Sequence, residues 1–190
     1  LGHNSFFMQL GGKRIMFDPV FGNIPFVRRK SKFPADPDIF KEIDYLLISH
    51  DHFDHMDKPS ITRLYENNPR MKVFCGLGMK DLIRGWLPDI QVIEAGWYQR
   101  WEEGRLKITF LPAQHWSKRS LNDGGLRLWG AFMLQTDDLS VYYGAIVDRI
   151  VRRSGGSVKL ESAEPHGLRV RITFPAVTPK KKKAKDKEKE

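Results

Sequence analysis

Residues 44–49, DYLLIS, form an apolar run that leads without interruption into SHDHFDHMD, residues 49–57. A short run of this kind bounded by polar residues fits a strand buried on both faces, which needs a packed layer on either side. Beyond it stand three histidines, His50, His52 and His55, interleaved with Asp51, Asp54 and Asp57. Residues two apart in an extended chain project to the same side, so His50 and His52 can converge on one ion at the strand's end. Asp54 and His55 stand where the chain leaves the strand and can face a second ion close by. His115 is placed in the same way, just past the strand-like stretch that closes with TFLPAQ. Two strand ends thus deliver imidazoles to one rim, and open α/β folds place their sites at the carboxyl ends of strands.

Imidazole and carboxylate suit zinc, iron or manganese. Cys75 is the only cysteine, which excludes an intrachain disulfide and a thiolate-rich structural zinc site. The pattern therefore favours a catalytic metal site over a histidine-rich polar loop. His3 is a candidate for orienting a ligand, with capping or packing as its simpler role, and His166, in a Gly-Pro turn, reads as exposed.

The rest of the first 143 residues alternates strands with short helices, which predicts an α/β or αββα layered fold. SFFMQLGGKRIMFDP reads as a hairpin turning at Gly11-Gly12 and ending at Asp18-Pro19. DKPSITRLYENNP carries a capping Asp or Ser and an early proline, a helix. KVFCG, IQVIEA and RLKITFLPAQHW read as strands, MKDLIRGWLPD as a short helix, and LWGAFMLQTDDLSVYYG as two strands around Asp137-Asp138. Past Gly144 the texture changes: AIVDRIVRR has helical spacing, and SVKLES with LRVRITFP makes a strand pair.

A chain of 190 residues builds about one domain with a sizeable core. An apolar share of 41% excludes a disordered chain. No apolar run approaches the roughly 18–20 residues of a membrane span, and the first residues do not read as a signal peptide. A soluble, cytoplasmic protein is expected, with membrane-peripheral contact as the variant. The chain opens at Leu1 within a strand pattern, so its native start is expected upstream. Of the net charge of +9, residues 179–190 contribute +4 through seven lysines and three acids. That tail reads as disordered and solvated, with weak contact to an anionic surface as the sharper reading. No aromatic residue interleaves with its lysines, so no specific nucleic-acid partner is expected.

The H-x-H-x-D-H arrangement of His50, His52, Asp54 and His55 resembles the signature of the metallo-β-lactamase superfamily of dinuclear metallohydrolases. LGHNSFFMQLGGKRIMFDPVF and LPAQHWSKRSLNDGGLRLWGAFML are similar, more narrowly, to the branch that contains N-acyl phosphatidylethanolamine phospholipase D, and more distantly to the L-ascorbate-6-phosphate lactonase type. The likeness spans residues 1–143 and implies a partial αββα sandwich. It further implies that His50, His52 and His115 hold one zinc ion, while Asp54 and His55 hold another and complete the catalytic pair. A zinc-bound hydroxide would then attack a phosphoryl or carbonyl group. Asp51 and Asp57 would orient ligands or cap the helix, and Asp18 matches the family's Asp-Pro turn, with a ligand-orienting role as the sharper reading.

One departure stands out. The family continues after a strand like VYYG with Gly-Asp-(Ser/Thr)-Gly, whose aspartate bridges the metals, and a later histidine completes the second site. Here Gly144 is followed by Ala145-Ile146-Val147, and neither Asp148 nor His166 lies in a matching context. Residues 144–177 resemble instead the final helix and strand pair of a histidine-kinase-type ATP-binding domain, without that family's nucleotide-binding segments. The expected organisation is a metal-binding domain over 1–143, the ATPase-like fragment over 144–177, and the tail over 178–190. The expected function is metal-dependent hydrolysis of a small-molecule or lipid phosphodiester, phospholipase D-like, with one or two ions. The alternatives are a metal-binding remnant or chimera without turnover and, more weakly, a nucleic-acid-processing relative.

Overall fold

The computed structural model describes residues 1, 4–25, 27–144, 157–162 and 168–173. The chain divides into two compact units, Leu1–Ile146 and Val147–Glu190. The expected helix over AIVDRIVRR, His3, Asp148, His166 and the tail over 178–190 lie outside the described residues.

In the first unit, β1 (Phe6–Leu10) and β2 (Lys13–Phe17) form an antiparallel hairpin. Its turn uses Gly11 and Gly12 at φ +59° and +76°, the left-handed conformations that a two-residue turn needs to match strand twist. β3 (Tyr45–Ile48), β4 (Lys72–Gly76) and β5 (Gln91–Ala95) extend the sheet in parallel, in the order β1-β2-β3-β4-β5. A second sheet, β6 (Arg100–Glu103), β7 (Leu106–Leu111), β8 (Ala131–Gln135) and β9 (Ser140–Tyr143), is an antiparallel meander.

The period-two alternation of strand side chains divides the apolar residues between two cores. Met16, Leu46, Ile48, Val73 and Cys75 face α1 (Lys58–Asn67) and α2 (Lys80–Arg84) through Ile61, Leu64 and Ile83. Ile15, Phe17, Tyr45, Leu47 and Phe74 face the second sheet through Ile108, Phe110, Phe132 and Leu134. All four residues of β3 are buried, as the unbroken apolar run requires. Among the described residues the layers are therefore helix, sheet, sheet: an α/β fold matching part of an αββα sandwich. No described helix covers the outer face of the second sheet, where Lys107 and Tyr142 are exposed.

β6 is a strand that the apolar pattern of the sequence does not announce. Its sequence is RWEE, and it is held by specific contacts rather than by a hydrophobic run. Trp101 packs on Phe74 with ring centroids 4.8 Å apart, and Glu103 accepts from the Tyr45 hydroxyl at 3.0 Å and from Lys72 Nζ at 3.0 Å. In the second unit, β10 (Ser157–Ser162) pairs antiparallel with β11 (Leu168–Thr173), the expected strand pair.

Candidate metal centre

Three loops at the carboxyl ends of β2, β3 and β7 build the site. β3 ends at Ile48 and releases Ser49, His50 and His52; β7 ends at Leu111 and releases His115. His50 Nε2 lies 3.0 Å from His52 Nδ1 and 3.0 Å from His115 Nε2, and the third side of the triangle is 3.1 Å. A ring nitrogen carries either one in-plane hydrogen or one lone pair. Three of them so arranged cannot all be mutually satisfied by protons, whereas one cation among them satisfies all three. Tetrahedral zinc with bonds of about 2.0–2.1 Å separates its nitrogens by roughly 3.3 Å, so the donor set fits such an ion. Asp18, His50 and His55 form a second grouping of potential donors within 4.8 Å.

His52 supports the same conclusion from the other side of its ring. Its Nε2 is buried without a hydrogen-bond partner, and its ring packs against Trp116 with centroids 4.4 Å apart. Burial pushes its pKa down from the ordinary histidine value, which favours the neutral imidazole that binds metals. Nδ1 is then the atom presented to the triangle.

Asp18 organises the centre. It is fully buried and sits at φ +39° in the left-handed region, a strained conformation of the kind that clusters at functional sites. Its Oδ1 accepts from the Ser49 backbone N–H at 2.8 Å, and its Oδ2 accepts from Ser49 Oγ at 2.5 Å and faces His55 Nδ1 at 2.8 Å. The Tyr143 hydroxyl shares its proton between Asp18 Oδ2 at 3.0 Å and Asn4 O at 2.7 Å. Ser49 Oγ, having given its proton to Asp18, accepts from His50 Nδ1 at 2.9 Å. One carboxylate thus holds both His50 and His55 with hydrogen on Nδ1, leaving Nε2 of each as the donor atom for metal. Four donors thus occupy the two Asp18 oxygens, which places this carboxylate to orient the two rings.

The His55 ring stands 4.0 Å from the His50 ring, centroid to centroid. Its Nε2 is 3.7 Å from Asp54 Oδ2 and 3.2 Å from Asn4 Nδ2. The sequence-selected residues therefore gather as a histidine triangle with an adjoining Asp54–His55 pair.

The two remaining aspartates of the motif turn away from the triangle. Asp57 caps α1, its Oδ2 accepting from Ser60 N–H at 3.1 Å. Asp51 is buried and secures the loop that carries His115: it accepts from Lys118 N–H at 3.1 Å and from Arg127 Nη1 at 2.9 Å. Arg127 also donates to Asp123 at 2.8 Å and holds that carboxyl well below its usual range. Arg119 donates to the carbonyls of Asp51 and Met56, both at 2.7 Å, and lies over the rings of Phe53 and Trp86. Asn4, Ser49, Arg119, Arg127 and Tyr143 are site residues that sequence reasoning did not select. Only Ser49, inside the histidine stretch, carried a local signal.

The family described as "Beta-lactamase superfamily domain" matches residues 13–156. The chain is 29% identical over 157 residues to N-acyl-phosphatidylethanolamine-hydrolyzing phospholipase D 1 of Caenorhabditis elegans, covering 75% of this chain and 44% of that protein. It is 27% identical over 146 residues to a UPF0173 metal-dependent hydrolase of Pyrococcus horikoshii, covering 75% of this chain and 58% of that one. Among solved structures, Igni18, a metallo hydrolase of Ignicoccus hospitalis, superposes with a TM-score of 0.54 at 21% identity, over 75% of this chain and 57% of that chain. The chain thus spans less than two thirds of the length of each of these proteins.

Proposed function

The chain belongs to the β-lactamase superfamily, and from that premise we propose that it is a metal-dependent hydrolase acting on phosphodiesters, with zinc as its metal. The observation that carries this reading is the triangle of His50, His52 and His115 nitrogens, oriented from behind by Asp18 and adjoined by Asp54 and His55. When bound, the metal polarises the phosphoryl oxygen and makes a coordinated water acidic near neutrality.

The side chains supply the rest. His50, His52 and His115 hold the first ion, and Asp54 with His55 hold the second. Ser49 and Asp18 keep the protons of His50 and His55 on Nδ1, so neither ring can turn its lone pair away. Trp116 packs against the His52 ring, centroids 4.4 Å apart, and supports its orientation. The phospholipase D-like choice of phosphodiester is supported by the phospholipase relative. The likeness of residues 144–177 to the end of a histidine-kinase-type ATPase domain is retained as a proposal about architecture alone, supported by the β10–β11 hairpin.

A second reading has its own observation. Ala145-Ile146-Val147 follows Gly144 where the family carries its bridging aspartate, which favours a metal-binding remnant that does not turn over. Metal analysis combined with hydrolysis of bis(p-nitrophenyl) phosphate separates the two. The enzyme reading expects about two ions per chain and metal-dependent release of nitrophenol; about one ion with no turnover establishes the remnant.

A further inference from the structure

We infer that Asn4 is a ligand of the second metal ion, its side-chain oxygen joining Asp54 and His55. The inference rests on the reading of that pair as an ion site and adds to it a neutral side chain. A catalytic zinc takes three protein donors and keeps one position open. Among the described histidines, cysteines and carboxylates, the groupings of three potential donors within 4.8 Å are His50-His52-His115 and Asp18-His50-His55. Neither contains Asp54, so a third donor beside Asp54 and His55 is to be sought among the uncharged residues.

The Asn4 amide stands where such a donor belongs. Its Nδ2 lies 3.2 Å from His55 Nε2, close to the roughly 3.3 Å between two ligand atoms on one tetrahedral ion with bonds of about 2.0–2.1 Å. Asp54 Oδ2 stands 3.7 Å from the same ring nitrogen. In the metal-free chain the amide contact is a hydrogen bond. Asp18 keeps the His55 hydrogen on Nδ1, so Nε2 accepts and the Asn4 N–H donates. A half-turn about the last side-chain bond exchanges Nδ2 for Oδ1 without changing the shape of the amide. Oxygen set against the Nε2 lone pair is repulsive until a cation stands between them, so the turn accompanies the arrival of an ion.

The position of Asn4 is built rather than incidental. The Tyr143 hydroxyl reaches the Asn4 carbonyl at 2.7 Å and Asp18 Oδ2 at 3.0 Å. The next residue, Ser5, is buried; its Oγ donates to the Asp18 carbonyl at 2.9 Å and accepts from the Val20 N–H at 2.8 Å. Asn4 is thus tied by its main chain to the same carboxylate that orients His50 and His55. The resulting donor set is one imidazole, one carboxylate and one amide oxygen. It is harder than the triangle of three imidazoles, and carbonyl and carboxylate oxygens suit manganese where imidazole favours zinc. The second ion is therefore expected to be the weaker zinc and the less selective of the two.

The test measures metal binding, so it does not depend on turnover. Zinc is titrated into the full chain against a chromophoric chelator, for the parent, Asn4→Ala and Asn4→Asp. The parent is expected to hold two ions. Asn4→Ala should weaken the second by roughly tenfold or more, at least the cost of losing a ligand-orienting group. Asn4→Asp, which offers an oxygen with a charge but no N–H, should bind the second ion more tightly than the parent. The first ion should be unchanged in both, which also shows that each variant is folded; the aspartate variant decides where the alanine variant does not fold. Equal affinity for the second ion in parent and Asn4→Ala overturns the inference. So does an aspartate variant as weak as the alanine one, which would make Asn4 a hydrogen-bonding prop for His55. With cobalt as the probe, the visible absorption of the second equivalent should differ between parent and Asn4→Ala, and identical spectra reject Asn4 as a ligand. A parent that holds one ion also overturns it. Hydrolysis of bis(p-nitrophenyl) phosphate by that one-ion chain would keep the hydrolase reading, and its absence would remove both.

Discussion

His55 Nδ1 and Asp18 Oδ2 lie 2.8 Å apart, with side-chain exposures of 6% and 0%. At that distance and burial the carboxylate dictates which ring nitrogen carries hydrogen, so Nε2 is committed to the Asp54 side. Asp18→Asn keeps the shape and removes the charge. Its expected effect is a 10–100-fold loss of metal affinity at the Asp54–His55 pair, the usual consequence of removing a ligand-orienting group. Competition with a chromophoric chelator reads this out, and unchanged affinity would contradict the role given to Asp18.

The histidine triangle predicts a stability increment from metal. An ion that binds only the folded chain stabilises it by about 2.7 kcal/mol when its free concentration is 100 times its Kd. Zinc should therefore raise the Tm of the parent protein and EDTA should reverse the gain. In H50A/H52A the increment should vanish, because two of the three nitrogens are gone. Scanning fluorimetry with and without zinc decides the matter, and an equal zinc-induced shift in the double variant rejects the triangle as the binding site.

These two clusters differ in how far the sequence alone revealed them. His50, His52, Asp54 and His55 were legible because strand geometry converts their spacing into convergence, and His115 because it repeats the same placement after a second strand. Asp18 was legible as a turn residue, and its ligand-orienting role only through the family's Asp-Pro turn. Its partner Tyr143 lies 125 positions away in sequence, and no local period announces a contact of that span. The strands were legible where an apolar run met the period of a sheet, as in Tyr45–Ile48. β6 was not, because Arg100, Glu102 and Glu103 break the run, and the strand depends on Trp101 reaching Phe74 and Glu103 reaching Tyr45.

Arg119 should behave as a hub rather than as a surface charge. Its Nη1 satisfies two carbonyls, Asp51 O within the histidine motif and Met56 O just past it, and its guanidinium lies over the rings of Phe53 and Trp86. Arg119→Ala leaves Asp51 O and Met56 O without this donor and should cost about 2–3 kcal/mol. Arg119→Lys should recover only part of this, since an ammonium can donate to the carbonyls but lacks the planar guanidinium that stacks on Phe53 and Trp86. Urea unfolding compares the three proteins, and full stability in the lysine variant would show that charge alone suffices.

Gly130 joins the second sheet to the motif, its N–H donating to the Ser49 carbonyl at 2.9 Å. A Cβ there would stand 2.5 Å from Leu111 O and 2.6 Å from the Phe110 ring. Neither neighbour is the free end of a flexible chain, so the backbone must move. Gly130→Ala should therefore destabilise by roughly 1–3 kcal/mol, the range of overpacked cores. It should also weaken metal binding, because the shift is passed to Ser49. A variant with parental Tm would refute the close approach.

Tyr143 predicts the alkaline limit of stability. Burial, reinforced by the negative Asp18 beside it, raises its pKa well above the ordinary 10.0. The folded chain therefore keeps this proton at pH values where the unfolded chain loses it. Stability linked to Tyr143 is complete below the unfolded pKa of about 10 and falls as pH rises through the folded value, by up to ~1.4 kcal/mol per pH unit for one proton. Tyr45, raised by burial and Glu103, adds a slope of the same sign. Tyr143→Phe should be less stable near neutrality, because Asp18 and Asn4 O lose a donor. Above about pH 10 its stability should fall less steeply than the parent's by close to one proton's worth. Denaturant midpoints collected from neutral to alkaline pH give both slopes, and parallel curves would mean that Tyr143 does not keep its proton in the folded state.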